Sequence, residues 1–482
     1  MVRSQIHAPI NKLTIDTKTV ENSGLQYLLN SEKGTTSISP NQQLLPLTAT
    51  VNHQDHLEIG GCDVAEMVSQ FGSPLYILDE VTVRTACRQY REAWEKYYPG
   101  ESLILYASKA WNCLAVCAIV ASEGLGTDVV SGGELYTANM AGVSPDKIYL
   151  HGNNKSRSEL ELAISTGCTV VADNWLDLTN LVELADQMSV TSPVRVMIRF
   201  TPGIECHTHE YIRTGHLDSK FGFDPNQLDE VFKFVSSNPS LCCEGIHAHI
   251  GSQIFELQPH QDLAGVLMDA VTKGSQYGLN ITEVNVGGGL GIRYTEDDDP
   301  PSIESWVSAI ASSVVAACEQ RQIPLPKLLC EPGRSIIGPA AITAYTIGSR
   351  KEIPDMRTYI AVDGGMSDNP RPITYQSVYR VVIANRMSAP LTETITVAGK
   401  HCESGDILIQ QAHLPGDCQT GDILVVMATG AYNYSMASNY NRLPRPAAVL
   451  VNEGISTIII QRETYSDLIR QDRLPERLGD RP

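Results

Sequence analysis

The sequence predicts a TIM-type (β/α)8 barrel followed by a second, mainly antiparallel β-domain. Three observations predict it. From Ser102 short β-rich runs alternate with helix-length segments. Eight such runs fall within about 230 residues, the repeat number of a closed parallel barrel. After Gly338 the helical segments give way to short alternating runs separated by Gly, Pro and Asp.

The eight runs are 103–109, 127–131, 148–152, 169–173, 194–200, 245–251, 284–289 and 328–334. Helical patterns such as Ser156 to Thr166, Trp175 to Met188, Gln261 to Tyr277 and Ile303 to Gln320 lie between them. A doubly wound sheet is the alternative, but it usually needs fewer strands. In the second domain the runs are 341–347, 358–362, 379–383, 393–397, 423–427 and 447–451. The segment Leu75 to Asp79 precedes the barrel and is expected to pair with this second domain. The expected division is an extension over 1–45, a segment pairing with the β-domain over 46–80, the barrel over 81–336 and the β-domain over 337–475. Residues 1–45 are rich in Ser, Thr, Asn and Gln without sustained periodicity, so they are expected to be loosely ordered and trimming residues 1–40 to cost little.

The composition is that of a globular chain: 482 residues, 42% hydrophobic and 19% charged. Thirty-six basic residues against 55 acidic ones leave a net charge of −19. Such a surface repels phosphate backbones and anionic membranes, so neither nucleic acid nor membrane is an expected partner. No stretch has the roughly 18 apolar residues of a membrane helix. Residues 1–50 lack the apolar core of a secretion signal. A transit peptide is the rival reading of that stretch, weakened by a single arginine, Arg3, beside Asp16, Glu21 and Glu32. Twelve scattered cysteines with no CxxC pair suit reduced thiols and a cytoplasmic location.

The informative residues gather where the runs end: Lys109, His151, His249, Gly287–Gly289 and Glu331, with Asp128 inside the second run. In a parallel barrel these ends form one face, where active sites are built. A lysine ending an apolar run can lose solvation and become nucleophilic enough for a Schiff base, though alone it more often snorkels to the surface. Gly287-Gly-Gly-Leu-Gly291 after a strand offers backbone N–H groups to a phosphate, and Ser252 can add a hydroxyl. The run lacks the spacing of a dinucleotide or triphosphate loop. Glu331, in Glu331-Pro-Gly-Arg334, can keep a heterocycle nitrogen protonated. A phosphate site, a reactive lysine and a carboxylate for a ring nitrogen are what pyridoxal phosphate requires of a protein. His249 can lie flat against such a ring. Zinc is the rival reading for His247/His249 and for His207/His209, but no third ligand at suitable spacing stands out, and no metal is expected.

A set of motifs in matching order adds to this reading. Tyr106-Ala-Ser-Lys-Ala110, Ser219-Lys-Phe-Gly222, His249-Ile-Gly-Ser-Gln253, Gly287-Gly-Gly-Leu-Gly291, Glu331-Pro-Gly-Arg334, Asp368-Asn-Pro-Arg371, His401-Cys-Glu-Ser-Gly405 and Gly430-Ala-Tyr432 resemble the diaminopimelate decarboxylase family from about Pro74 to Arg470. The N-terminal extension is the one departure. The resemblance implies an alanine racemase-like barrel binding pyridoxal 5'-phosphate, a decarboxylase C-terminal β-barrel, and conversion of meso-diaminopimelate to L-lysine. It makes Lys109 the cofactor-linking lysine and His249 the ring-stacking histidine. It gives cofactor contacts to Asp128, Ser252, Gly288, Gly289, Glu331, Gly333, Arg334 and Tyr432. Substrate contacts fall to Arg334, Arg371, Tyr375, Glu403 and Tyr432, and Cys402 becomes the proton donor. In the family Cys402 and Glu403 arrive from the other subunit, which implies a homodimer with a shared site. The alternatives are a same-fold decarboxylase of ornithine, arginine or carboxynorspermidine, a racemase of the same fold, and a catalytically inactive cofactor-binding homologue. The racemase is disfavoured because it must retain the carboxylate. Lys109 and Cys402 together speak against the inactive homologue. Arg371 with Glu403 suits a substrate end bearing both carboxylate and amine.

Overall fold

The computed structural model describes residues 22–28, 38–204 and 219–479. His207 and His209 lie outside the described residues, as does much of the N-terminal stretch.

Eight parallel strands close into a barrel: Ser102–Ala107, Gly126–Val129, Ile148–Leu150, Thr169–Ala172, Val194–Arg199, Leu241–His247, Glu283–Asn285 and Lys327–Cys330. Each pairs with the next, and the last returns to the first with Cys330 opposite Ile104. Every strand stops earlier than the hydrophobic run that predicts it. Lys109, for instance, falls in the short 3-10 turn Ser108–Ala110. The polar residues therefore leave the ladder and ride on the strand-to-helix loops, where side-chain direction is no longer tied to the pleat.

Leu103, Leu105, Tyr149, Val171, Met197 and Leu329 fill the barrel interior. The Tyr149 hydroxyl donates to Glu283 Oε2 at 2.7 Å, so the one polar tip in this plug is satisfied. The surrounding helices bury their apolar faces against the outward strand residues. Their starts follow capping chemistry. Ser156 and Glu159 form a capping box on Arg157–Thr166, and Ser302 caps Ile303–Arg321.

The second layer is a nine-stranded, mainly antiparallel sheet in which Leu75–Asp79 lies antiparallel to Ala341–Ile353 and parallel to Ala447–Asn452. Asp79 ends that strand and accepts from Thr82 N at 3.1 Å, capping the helix Glu80–Tyr97 that covers the barrel. One residue thus joins the sheet to the barrel. Two strands escaped the sequence pattern. Ile407–Leu414 pairs through register shifts, and Ile455–Ile460 leaves Ile455 and Ile458 exposed, so neither alternates cleanly.

Residues 22–28 and 38–45, expected to be loosely ordered, are held against the body. Leu25, Leu44 and Leu45 are buried. Asn41 Nδ2 donates to the carbonyls of Gly291 (3.1 Å) and Pro301 (2.8 Å), and Arg293 N donates to Asn41 O at 2.9 Å. Isolated polar side chains with no period gave no sign of this role. We expect Asn41→Ala to destabilise the fold by about 1–3 kcal/mol, because two carbonyls lose their donor. A urea midpoint unchanged from the parent protein would refute it.

Candidate active site

At the C-terminal ends of the barrel strands, facing the second sheet, lies a cavity of about 960 Å³. Its wall includes Lys109, His249, Ser252, Glu331, Arg334, Arg371, Tyr375 and Tyr432, all anticipated from the sequence. It also includes His151, Arg199, Lys220, His247, Tyr294 and Arg380. The balance is basic on a chain of net charge −19, which marks a site for an anionic ligand.

The floor centres on Glu331, just past the last barrel strand and 6% exposed. Its Oε1 meets His151 Nε2 at 2.8 Å and accepts from Asn285 Nδ2 at 2.7 Å, while Oε2 lies 3.1 Å from His247 Nε2. Burial alone would raise the Glu331 carboxyl, but His151 and His247 outweigh it and hold it well below the usual carboxylate range. Burial pushes the His247 imidazolium down to about 4, so a neutral ring donates to an ionised carboxylate. Three ring and amide groups thus fix one anion at the base of the cavity.

Lys109 extends from the first strand-to-helix turn with its Nζ 3.4 Å from Asp128 Oδ2. Its side chain is 45% exposed. Burial lowers its pKa, but Asp128, Tyr432 and Glu331 together outweigh that and the net shift is upward. Asp128, on the adjacent strand and invisible to a local pattern, thus favours the charged form of the amine. Tyr432, at φ +63°, has its N–H bonded to Ala110 O at 2.8 Å, which ties the second sheet to the lysine turn.

The glycine loop follows the seventh barrel strand. Gly287 takes φ +67°, and a Cβ there would sit 2.7 Å from His249 Nδ1. Gly288 N donates to that nitrogen at 3.2 Å, and a Cβ on Gly288 would strike the Glu331 carbonyl. Gly333 packs against Ala107 and Ala110, again without room for a side chain. Burial, with Lys109 and Arg199 nearby, holds the His249 imidazolium well below its usual range, leaving a neutral flat ring.

Arg334 donates to Ser252 Oγ at 2.9 Å and to Tyr294 OH at 2.7 Å. Arg371 donates to Tyr379 OH, and its guanidinium lies 4.8 Å from the Tyr294 ring centroid. Two buried guanidinium groups therefore share one tyrosine, and among the described residues neither pairs with a carboxylate; their side-chain hydrogen bonds go to phenols and Ser252. Positive charge left in this state calls for a carboxylate or phosphate from outside. The structure does not bring Cys402 and Glu403 to the cavity of their own chain; both are exposed on a loop of the second sheet.

Behind the glycine loop, His260 is buried edge-on to Trp306, and among the described residues neither ring nitrogen has a hydrogen-bond partner. Burial pushes its pKa from 6.5 to about 3. Below pH 6.5 the unfolded chain takes a proton that the folded one refuses, so stability falls as pH drops toward 3, by about 1.4 kcal/mol per unit. We expect His260→Met to shrink the stability difference between pH 7 and pH 5 by about 2 kcal/mol in urea unfolding. An unchanged difference would refute this.

The residues present fit a pyridoxal group: an amine at the wall, an ionised carboxylate on the floor and a glycine loop with no room for a Cβ. Comparison with known proteins agrees. Residues 83–338 match the family model of the pyridoxal-dependent decarboxylase, pyridoxal binding domain. The chain is 64% identical over 450 residues to the diaminopimelate decarboxylase of Synechocystis sp., covering 92% of this chain and 95% of that protein. Against the Bacillus subtilis enzyme of the same name, identity is 42% over 438 residues, covering 90% and 98%. A crystal structure of diaminopimelate decarboxylase from M. jannaschii with L-lysine superposes with a TM-score of 0.83 at 32% identity, covering 89% of this chain and 99% of that one.

Proposed function

The chain belongs to the diaminopimelate decarboxylase family, and from that premise we propose how its residues divide the work. It is a carboxy-lyase that converts meso-2,6-diaminopimelate to L-lysine and CO2, the last step of lysine synthesis. The observation that carries the proposal is that the paired Arg334 and Arg371 line one cavity with Lys109 and Glu331.

Pyridoxal 5'-phosphate, when bound, supplies a ring that accepts the electron pair left as CO2 departs. Lys109 would hold it covalently and yield that position to the substrate amine. Asp128 keeps the lysine beside the floor. Glu331, braced by His151, His247 and Asn285, would stay ionised and hold the ring nitrogen's proton. The neutral His249 would cover one ring face and so exclude water there. Gly288, Gly289, Gly333, Ser252 and Arg334 would hold the cofactor's phosphate. Arg371 and Arg334 offer planar forks to the substrate's distal carboxylate, with Tyr375 and Tyr432 beside them.

A proton must replace the lost carboxylate. Cys402 is exposed and away from its own cavity, so we assign the donor to the partner's Cys402 in a homodimer, with Glu403 of the partner subunit accepting from the distal ammonium. No described helix is long and apolar enough to cross a membrane, and the free thiols suit the cytoplasm.

Decarboxylases of ornithine, arginine or carboxynorspermidine bind an amine at the far end and need no second carboxylate grip. The guanidinium pair disfavours them here. Product analysis tests this. With meso-diaminopimelate, ornithine and arginine offered in parallel, we expect CO2 and L-lysine from the first and negligible amine from the others. Comparable turnover of ornithine would overturn the assignment.

A further inference from the structure

Two segments of the second sheet meet at one buried carboxylate. Asp406 is 3% exposed. Its Oδ1 accepts from Met366 N at 2.7 Å. Its Oδ2 accepts from His401 N at 2.9 Å and lies 2.7 Å from His401 Nδ1. Lys400 N donates to Gly364 O at 2.9 Å, so the segments also touch through backbone. A Cβ on Gly365 would lie 2.5 Å from Asp406 Oδ2, and one on Gly399 would overlap the same carboxylate. The carboxylate is enclosed, with no slack to absorb a shift of either segment.

Each segment leads to a functional residue. Gly365 N donates to Asp368 Oδ1 at 2.7 Å, and Asn369 N to Gly365 O at 2.8 Å; this turn runs directly into the helix Arg371–Tyr375. On the other side His401 precedes Cys402, whose N–H is fixed by Asn441 Oδ1 at 2.9 Å while the His401 ring stacks on Tyr440 at 5.9 Å. Arg371 faces the cavity of its own chain, whereas Cys402 faces away from it.

We propose that Asp406 is a positioning residue that couples the two sites of the dimer. Through it, filling the Arg371 grip in one site sets the position of the loop that lends Cys402 to the other. This rests on the shared-site reading above, because only a thiol used by the partner makes the link run between sites. Because Asp406 ties the two segments together, a ligand that favours one arrangement of the Arg371 segment biases the arrangement of the Cys402 loop, and the reverse holds equally.

Mixed dimers of full-length chains test it. In the first, one chain carries Lys109→Ala and the other Cys402→Ala; the single live site takes its thiol from the Lys109→Ala chain, whose own dead site keeps its Arg371 grip and can fill with free pyridoxal 5'-phosphate and substrate kept in the assay. In the second, Arg371→Ala replaces Lys109→Ala, so the dead site stays empty. We expect the first dimer to turn over about fivefold faster or more at saturating meso-diaminopimelate. We further expect the difference to vanish when the thiol-lending chain also carries Asp406→Asn. Should that variant fail to assemble, His401→Gln, which removes the ring contacts with Asp406 and Tyr440 but keeps the backbone bond, takes its place. Equal rates in the two dimers would overturn the coupling while leaving the shared site standing. A first dimer with no activity above its parents would overturn both. A difference that survives the third substitution would remove the role from Asp406.

Discussion

Replacing Lys109 by Ala is expected to lower kcat by about 10³-fold, within the range for losing a residue that takes and returns protons at the reacting centre. The fold should survive. The side chain is 45% exposed and makes one ionic contact, with Asp128 at 3.4 Å. The turn that carries it is held by backbone, including the Tyr432 N–H to Ala110 O bond at 2.8 Å. Asp128 will be left facing His151 at 3.9 Å, a nearby partner for its charge. The variant should therefore unfold at nearly the parent's midpoint yet lose cofactor on gel filtration. Retention of the cofactor with full activity would show that another amine does the work.

The second large effect belongs to Arg371. It is buried, anchored to Tyr379 and set against the Tyr294 ring at 4.8 Å. Burial alone would weaken its charge, but Tyr294 and Tyr379 outweigh that and keep the guanidinium protonated. Losing one partner of a desolvated charged hydrogen bond costs roughly 2–5 kcal/mol, a factor of about 30 to several thousand in binding. Arg371→Lys keeps the charge but loses the fork, so kcat/KM for meso-diaminopimelate should fall within that range. The absorbance of the bound cofactor should not change, because among the described residues the polar partners of Glu331 and Lys109 do not include Arg371. Undiminished turnover by Arg371→Ala would break the distal-carboxylate assignment and bring amine-only substrates forward.

Much of this site was legible along the chain because a barrel collects strand ends onto one face. Lys109, His249, the glycine loop and Glu331 sit at run ends, and each has a recognisable chemical type. His151 was visible only as a run end; its contact with Glu331 depends on closure of the barrel. Arg199, Tyr294 and Tyr379 gave no local signal, since nothing near them in sequence reveals a charged neighbour. Tyr294 matters through Arg334 and Arg371, 40 and 77 residues further along. The ionic neighbour of Lys109 gave no signal for the same reason, as Asp128 belongs to the adjacent strand. The N-terminal anchor Asn41 was missed because a single buried amide in a polar stretch looks like any exposed one.

The most direct test is to locate the covalent cofactor. Holoenzyme is reduced with borohydride, digested and mapped by mass spectrometry. The account predicts a pyridoxyl adduct on Lys109. Lys220, which also lines the cavity, and Lys155, buried with its Nζ 2.8 Å from Asp177, should remain unmodified. An adduct on either of those lysines, with Lys109 untouched, would contradict it.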